Sequence, residues 1–272
     1  MGFSLLMSIY NKEKPEYFNR AMYSIWDDQV VKPNEIILVK DGPLSNELEQ
    51  VINKWKIKLD KKLKVVTLFE NVGLGKALQK GLQYCNYELI ARMDTDDISH
   101  KDRFKKQLEI FNTFRTVDIC GSWISEFDHD ESEILSYRKV PESNNEIITF
   151  GKKRNPMNHP TVMYKKYILE EAGGYQHMPG FEDYYLWVRM MKAGAVFYNI
   201  QEALVHMRTG DGQIERRRGM DYIKHEVHLQ KFFLTIHYIT PWEFLRNIVV
   251  RNIIRIFPYR IIKVFYKQLL RA

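Results

Sequence analysis

The sequence has little of several features that mark particular classes of protein. Only two cysteines, Cys85 and Cys120, occur among its 272 residues, with neither zinc-ligand spacing nor the density of a disulfide scaffold. A reducing, cytosolic compartment is therefore expected. No apolar stretch approaches the roughly 20 residues of a membrane-spanning helix. The first residues lack the basic segment and cleavage site of a signal peptide, and we expect them to form a strand.

Acidic residues are missing from the C-terminal end of the sequence. The basic residues that follow Glu243, with no acidic residue among them, are Arg246, Arg251, Arg255, Arg260, Lys263, Lys267 and Arg271. Setting these seven apart from the 41 basic residues leaves 34, which equals the 34 acidic residues. The net charge of +7 therefore comes from a cationic tail on a body that is formally neutral.

The first half of the chain alternates short apolar runs with amphipathic stretches. This pattern is typical of β-α-β units around a mostly parallel sheet, and the 45% of hydrophobic residues is that of a folded globular protein. Strands are predicted at 4–10, 35–40, 63–69, 88–93 and 118–127. Helices are predicted at 15–25, 44–59, 75–84 and 101–114. The predicted fold class is α/β, with a Rossmann-like sheet flanked by helices.

The regular alternation ends after Asp128. The remaining expectations are a polar loop at 129–146, an irregular segment at 155–160, helices at 168–174 and 183–193, and a strand at 196–200. The chain contains no internal repeat and no low-complexity tract. We therefore expect one large domain followed by the cationic tail.

Three carboxylates, Asp94, Asp96 and Asp97, directly follow the fourth predicted strand. Crowding like charges at the mouth of a sheet costs free energy, which a divalent cation relieves. Mg2+ and Mn2+ prefer carboxylate oxygens, and ligands of open α/β sheets bind outside the carboxyl ends of strands. The alternative is an acidic N-cap on the helix expected from Lys101.

Polar groups also follow the first two predicted strands. Tyr10 and Asn11 come after the first, and Asp41 and Gly42 after the second. Each pair alone fits ordinary turn chemistry. Together with the aspartates, however, they put three polar strand ends on one edge of a sheet. This arrangement suits a nucleotide, with an aromatic ring for the base, a carboxylate for the base or ribose, and a metal for phosphates.

Further candidate residues lie downstream. Glu182 and Asp183 open a predicted helix, where acids either favour the helix dipole or supply a general base. His206 could complete a metal site or be structural, and Arg208 could bind diphosphate oxygens. The run 216–218, three arginines, could do the same or form a solvated helix face.

The ordered set of motifs resembles that of family 2 inverting glycosyltransferases, in particular bacterial members that build O-antigen, capsule and exopolysaccharide repeat units. The resemblance covers about residues 3–220 and is carried by Ser8-Ile9-Tyr10-Asn11, Val39-Lys40-Asp41-Gly42, Asn71-Val72-Gly73-Leu74-Gly75, Asp94-Thr95-Asp96-Asp97, Gly173-Gly174-Tyr175 and Glu182-Asp183. The segment Asn158–Thr161 looks like one that this subgroup shares near the acceptor site, with no chemistry assigned to it.

The resemblance implies a GT-A fold, a UDP-sugar donor and a Mn2+ or Mg2+ ion. It assigns nucleotide-sugar binding to Tyr10, Asn11, Asp41, Gly75, Lys76, Arg92, Asp94 and Arg208. It assigns the metal to Asp94, Asp96 and His206. Asp183, with Glu182 beside it, would be the catalytic base that deprotonates an acceptor hydroxyl. The donor sugar expected from the subgroup is galactose, and the acceptor is an N-acetylglucosamine linked through diphosphate to undecaprenol.

The expected organisation is a catalytic domain at 1–220 and a basic helical tail at 221–272. Within the domain, 1–128 would bind the nucleotide sugar and 129–220 the acceptor. Arg260, Lys263, Lys267 and Arg271 are three or four residues apart and would share one helical stripe. Such a helix favours attachment to the inner face of the cytoplasmic membrane, the alternative being a helix packed on the body with solvated charges.

Other functions fit the sequence less well. A phosphatase of the haloacid dehalogenase type also uses an Asp-X-Asp loop, but its nucleophile normally follows the first strand. Nucleic-acid binding is not expected, because the positive charge is confined to the tail and alternates with aliphatic residues. A different UDP-sugar donor, such as UDP-glucose or a UDP-N-acetylhexosamine, and a non-catalytic nucleotide-sugar or membrane-binding module remain as alternatives.

Overall fold

The structure, a computed structural model, describes residues 1–209 and 220–256, with side chains as far as Arg251. Within these residues one sheet contains nine strands: β1 (Phe3–Ile9), β2 (Glu35–Lys40), β3 (Leu63–Thr67), β4 (Leu89–Arg92), β5 (Ile98–Ser99), β6 (Ile119–Phe127), β7 (Ser136–Arg138), β8 (Met163–Lys165) and β9 (Phe197–Arg208). The helices are α1 (Pro15–Trp26), α2 (Asn46–Leu59), α3 (Leu74–Leu82), α4 (Arg103–Thr113), α5 (Asn144–Gly151), α6 (Lys166–Glu171), α7 (Glu182–Lys192), α8 (Met220–Thr235) and α9 (Pro241–Ile256). Short 3-10 turns lie at Asp60–Lys62 and His159–Thr161.

The strand order creates a crevice between β1 and β4. The order across the sheet is β3-β2-β1-β4-β8-β6-β9-β5, with β7 on β6. The four strands from β3 to β4 are parallel, and the chain winds from β1 outward to β3 before it returns to β4. Ligands of open α/β sheets bind at such a reversal of strand order. The carboxyl ends of β1 and β4 are therefore the expected location of a site.

The remainder of the sheet is mixed. β8 is antiparallel to both of its neighbours, β4 and β6, while β6 and β9 are parallel. The short strands β5 and β7 are antiparallel to β9 and β6 respectively. Since β8 bonds to β4 on one side and to β6 on the other, the parallel and mixed regions form one continuous sheet.

Helices cover both faces of the sheet because its central strands are apolar on both sides. In β2, Ile36 and Leu38 belong to the core beneath α1, α2 and α4, whereas Ile37 and Val39 belong to the core beneath α3, α6 and α7. A third cluster joins α7 to α8 through residues such as Tyr184 and Phe233. The helical pair α8–α9 therefore packs on the domain.

The predicted fold class is confirmed, and most predicted elements of the first half lie within two residues of those observed. Four elements were not predicted: β5, β7, β8 and α5. The helix α5 begins inside the predicted loop 129–146, and the strand expected at 196–200 extends to Arg208 because β6 pairs along its length. The division at residue 220 stays a prediction.

The membrane-spanning criterion can be applied to every described helix. None of them is both long enough and apolar enough to cross a bilayer.

Candidate active site

The predicted aspartate cluster comes together at the carboxyl end of β4. In the described part of the chain, one group of His, Cys, Asp and Glu side chains could jointly hold a metal: Asp94, Asp96 and Asp97, whose ligand atoms lie within 4.8 Å of one another. The chain turns sharply between β4 and β5, so three carboxylates project from four consecutive residues. The N-cap interpretation is wrong, because the residue before α4 is Asp102, whose side chain makes no capping bond.

The cluster is electrostatically unfavourable on its own. Burial, followed by the charges of Asp94 and Glu13, raises the pKa of Asp96 to about 7. Burial and the charge of Asp96 raise the pKa of Asp97 well above its usual range. Asp97 Oδ1 accepts from the Arg208 amide at 3.0 Å, while its buried Oδ2 has no hydrogen-bond partner among the described residues. Repulsion and desolvation of this kind are what a bound cation removes.

These residues fit a divalent cation. All three ligands are carboxylate oxygens, the donors that Mg2+ and Mn2+ prefer, and one buried carboxylate oxygen lacks a partner. The structure adds Asp97 to the predicted pair of Asp94 and Asp96.

Arg92 supports the cluster from beneath. It is 1% exposed, and its two terminal nitrogens both bond to the Asp94 carboxylate, with Nη1 to Oδ2 at 2.6 Å. A bidentate pair of this type fixes the orientation of a carboxylate. Arg92 therefore fixes the orientation of Asp94, and its predicted contact with the donor stays a prediction.

Asp41 organises the loop that precedes α3. Its Oδ1 accepts from the Val72 amide at 2.7 Å and its Oδ2 from the Gly73 amide at 3.1 Å. Gly42 has a φ of +89°, and a Cβ there would lie 2.8 Å from the Asn71 amide nitrogen. Only glycine tolerates both conditions. The carboxylate thus has a structural role, and its predicted contact with a nucleotide is not tested.

The residues after β1 form the rim of the crevice. Tyr10 and Asn11 are exposed at the carboxyl end of the strand, as a ring and an amide available to a ligand. Glu13, which the sequence analysis overlooked, accepts from Thr95 Oγ1 at 2.7 Å. Burial raises the pKa of Glu13, and the charge of Asp94 acts in the same direction. Glu13 therefore adds a fourth carboxylate near the cluster, without an obvious signal in the sequence.

The acidic pair Glu182 and Asp183 begins α7, as predicted, and lies against the start of α3. A Cβ on Gly75 would be 3.0 Å from Glu182 Cγ, so the glycine permits this close approach. Burial raises the pKa of Glu182, and the charge of Asp183 adds to the rise. Asp183 Oδ2 accepts from Asn155 Nδ2 at 2.6 Å. Lys76, one residue after Gly75, is exposed.

Tyr175 connects the two acidic regions. Burial raises the pKa of its hydroxyl. The charge of Arg92 lowers this pKa, whereas the charges of Asp183 and Asp94 raise it further. A single phenol thus lies within electrostatic reach of the cluster and of the start of α7. His159 Nε2 lies 2.9 Å from Tyr175 Oη. The segment Asn158–Thr161, which carried no assignment, is therefore a buried support for the site.

His206 and Arg208 lie on β9 at the side of the cluster. His206 Nδ1 is 2.6 Å from Ser125 Oγ, and the ring shares a cavity of about 230 Å³ with residues that include His100 and Glu131. His206 is not part of the convergent carboxylate group, and its role as a metal ligand stays a prediction. Arg208 Nε donates to the Asp96 carbonyl at 3.3 Å, which ties β9 to the cluster.

Some predicted functional residues cannot be placed. The arginine run 216–218 lies outside the described residues, as do Arg260, Lys263, Lys267 and Arg271 of the tail. Arg255 belongs to α9, but its side chain is not described.

The chain is similar to known proteins at three levels. The family model described as glycosyl transferase family 2 matches residues 4–172. The amylovoran biosynthesis glycosyltransferase AmsE of Erwinia amylovora is 38% identical over 98% of this chain and 98% of its own length. The Escherichia coli UDP-Gal:alpha-D-GlcNAc-diphosphoundecaprenol beta-1,3-galactosyltransferase is 37% identical over 99% of this chain and 96% of its own.

Solved structures show the same fold at low sequence identity. Staphylococcus aureus TarS 1-349 in complex with UDP-GlcNAc has a TM-score of 0.65 at 19% identity, covering 99% of this chain and 76% of that one. The mannosyltransferase PcManGT of Pyrobaculum calidifontis, in complex with GDP-Man and Mn2+, has a TM-score of 0.64 at 15% identity, covering 92% and 68%. The expected GT-A fold is confirmed. The family model and the near full-length relatives together show that the chain belongs to glycosyl transferase family 2 and is a hexosyltransferase.

Proposed function

We propose that the chain is an inverting, metal-dependent galactosyltransferase. It transfers galactose from UDP-galactose, in β linkage, to N-acetylglucosamine-diphosphoundecaprenol during assembly of an O-antigen or other exopolysaccharide repeat unit. The observation that carries the proposal is the convergence of Asp94, Asp96 and Asp97 beside β1, with the acidic start of α7 against α3. The choice of both sugars is supported by the likeness to the Escherichia coli enzyme whose name states them.

The reaction is a single displacement at the anomeric carbon. Asp183 takes the proton from the acceptor hydroxyl, whose oxygen attacks the sugar as the bond to UDP breaks on the opposite face. Asp183 is suited to this task because its carboxylate is held by Asn155 in one orientation. General-base assistance typically contributes about 10²–10⁴-fold to the rate.

Asp94, Asp96 and Asp97 would hold the cation, which supplies positive charge to the diphosphate of the donor. Arg92 keeps Asp94 oriented for that purpose. His206 would serve as a further ligand through Nε2, because the bond to Ser125 uses Nδ1.

The donor nucleotide would occupy the crevice beside β1. Tyr10 offers a ring to the uracil, and Asp41 has remaining carboxylate lone pairs for its N–H after accepting from Val72 and Gly73. The other residues proposed to line this site are Asn11, Gly75, Lys76 and Arg208.

A lipid-linked acceptor places the reaction at the inner surface of the cytoplasmic membrane. On α9, Trp242, Leu245 and Val249 are 73%, 50% and 45% exposed, and their spacing puts them on one helical stripe. The basic residues beyond α9 add about 1 kcal/mol each near an anionic surface. Replacing Arg260, Lys263, Lys267 and Arg271 by glutamine should reduce binding to anionic vesicles but not to neutral ones. Unchanged partitioning would contradict the membrane proposal.

A transfer assay with defined substrates tests the proposed donor and acceptor. Purified protein with Mn2+ is incubated with a panel of UDP-sugars and a synthetic N-acetylglucosamine-diphosphate lipid, and the product linkage is determined by NMR. We expect transfer from UDP-galactose to give a β-linked disaccharide. Transfer from UDP-glucose or a UDP-N-acetylhexosamine alone would replace galactose in the proposal. Absence of transfer from every donor would contradict the acceptor.

A further inference from the structure

The proposed base is held by one neighbouring side chain. Asn155 Nδ2 donates to Asp183 Oδ2 at 2.6 Å, and Asp183 Oδ1 accepts from the Tyr184 amide at 2.7 Å. Each carboxylate oxygen therefore has one donor and keeps a further lone pair for an incoming proton. The two bonds fix the rotation of the carboxylate, which determines where those lone pairs point.

Asn155 lies in a segment whose main chain is held by the helices around it. The Ile148 carbonyl accepts from Tyr238 Oη at 2.9 Å, and the Gly151 carbonyl accepts from Tyr184 Oη. Closer to Asn155, the Lys152 carbonyl accepts from Asn247 Nδ2 at 2.8 Å.

Arg251 completes this support. Its guanidinium donates to the Lys153 carbonyl and forms an ion pair with Glu226, which is 1% exposed. The guanidinium also lies over the ring of Tyr184, 5.9 Å from its centre. The ion pair joins α9 to α8, because Glu226 belongs to α8. The same arginine thus ties both C-terminal helices to the segment that carries Asn155.

We propose that Asn155 is a positioning residue for Asp183, and that α8 and α9 hold Asn155 in place through the Lys152 and Lys153 carbonyls. The inference rests on the proposed role of Asp183 as base. It gives the C-terminal helical pair a part in the transfer step that is separate from membrane binding. Its chemical basis is orientation, since a misplaced base loses rate although substrates still bind.

Two substitutions of Asn155 separate positioning from a merely structural role. Asn155 Oδ1 also accepts from the Met157 amide at 3.3 Å, so the side chain stabilises its own turn. Asn155→Asp keeps that acceptor but replaces the donor to Asp183 with another carboxylate oxygen. Asn155→Ala removes both. If Asn155 positions the base, Asn155→Asp lowers kcat by about 10²-fold with unchanged KM for UDP-galactose, and repulsion between the two carboxylates lowers the melting temperature at pH 7.

The contribution of α9 is tested with a matched pair of variants. Arg251→Met removes the bonds to the Lys153 carbonyl and to Glu226, whereas Val250→Ala changes a neighbouring side chain that is 52% exposed. With a short-chain acceptor that needs no membrane, we expect Arg251→Met to lower kcat several-fold and Val250→Ala to leave it unchanged. The effects of Arg251→Met and Asn155→Ala should be less than additive, because both act through one segment.

The outcomes distinguish this inference from the proposed function. Full activity of Asp183→Asn would remove the base, and the positioning role with it. An inactive Asp183→Asn beside an Asn155→Asp enzyme with wild-type kcat would overturn the inference alone. Additive effects of Arg251→Met and Asn155→Ala would overturn the part assigned to α8 and α9.

Discussion

Two groups of carboxylates lie within electrostatic reach of Tyr175, and their surroundings differ sharply. After β4, Asp96 and Asp97 repel each other in a buried place, and Asp97 Oδ2 has no partner among the described residues. At the start of α7, both oxygens of Asp183 accept a hydrogen bond. The first group is prepared for a cation, whereas the second is held in one orientation. The comparison teaches that environment, rather than residue type, assigns the task of an aspartate.

The largest effect is expected from breaking the cluster. Asp96→Ala should reduce transfer by more than about 10³-fold, because charge stabilisation by a metal contributes several kcal/mol. Steady-state kinetics with added Mn2+, and with EDTA for the wild type, measure the loss. Asp27→Ala is the control, since Asp27 pairs with Lys58 on the surface. Wild-type activity in EDTA would show that the cluster needs no cation.

Asp183→Asn should reduce transfer by about 10²–10⁴-fold, the usual contribution of a general base. The amide cannot accept the acceptor proton, although it is nearly the same size as the carboxylate. Calorimetric titration with UDP should give the wild-type affinity, since the change leaves the cluster intact. A variant that turns over normally would show that Asp183 is not the general base, and the two acidic regions would no longer have different tasks.

In the metal-free protein, Asp96 should contribute less to stability as the pH rises. The pKa of Asp96 is about 7 in the folded chain against 3.8 for an ordinary aspartate, so the folded state binds the extra proton between these values. The contribution of Asp96 to the free energy of unfolding therefore falls from about pH 4 to about pH 7. Urea denaturation across this range, compared with Asp96→Asn, isolates the contribution of this carboxylate.

Urea denaturation in the presence of a cation tests whether the ionised Asp96 carboxylate is stabilised by metal binding. Mn2+ at about 100 times its dissociation constant should stabilise the folded wild type by about 2.7 kcal/mol at pH 8. Asp96→Asn should gain less. A stabilisation of equal size in both proteins would place the ion elsewhere.

The smallest effect is expected at Glu182. Burial and the charge of Asp183 raise its pKa, so the ionised side chain costs stability at pH 7. Glu182→Gln should therefore raise the melting temperature at pH 7, and less so at pH 4, where the glutamate is largely protonated. Its loss of activity should be smaller than that of Asp183→Asn. A larger loss would indicate that Glu182, rather than Asp183, is the general base.

The parallel half of the fold was predictable because its helices and strands have distinct hydrophobic periods. The predicted bounds of β2, 35–40, agree with those observed, since four apolar residues lie between the charged residues Glu35 and Lys40. The mixed half lacks such signals. β8 has three residues and is defined by its pairing with β4 and β6, which sequence does not reveal. Helix α5 had a signal that was overlooked, the capping box of Ser143 and Glu146.

The residues of the candidate site also divide into those that the sequence predicts and those that only the fold brings together. The aspartates were found because they are adjacent in sequence. The bond between Asn155 and Asp183 spans 28 residues, and the approach of Glu182 to Gly75 spans more than 100. The direction of the His206 side chain could not be predicted, because a shift of one residue in the register of a strand moves a side chain to the opposite face of the sheet. In β9 the register sets His206 beside Ser125, and no sequence pattern fixes that register.

The position of β8 restricts how the molecule can change shape during a catalytic cycle. Because this strand hydrogen-bonds to β4 and to β6, the regions proposed to bind the donor and the acceptor belong to one continuous sheet. Separating these regions would break main-chain hydrogen bonds in the middle of the sheet, at a cost in free energy for each bond lost. We therefore expect entry of the nucleotide sugar and departure of the product to depend on rearrangement of the connections at the crevice rim, while the paired strands keep their positions.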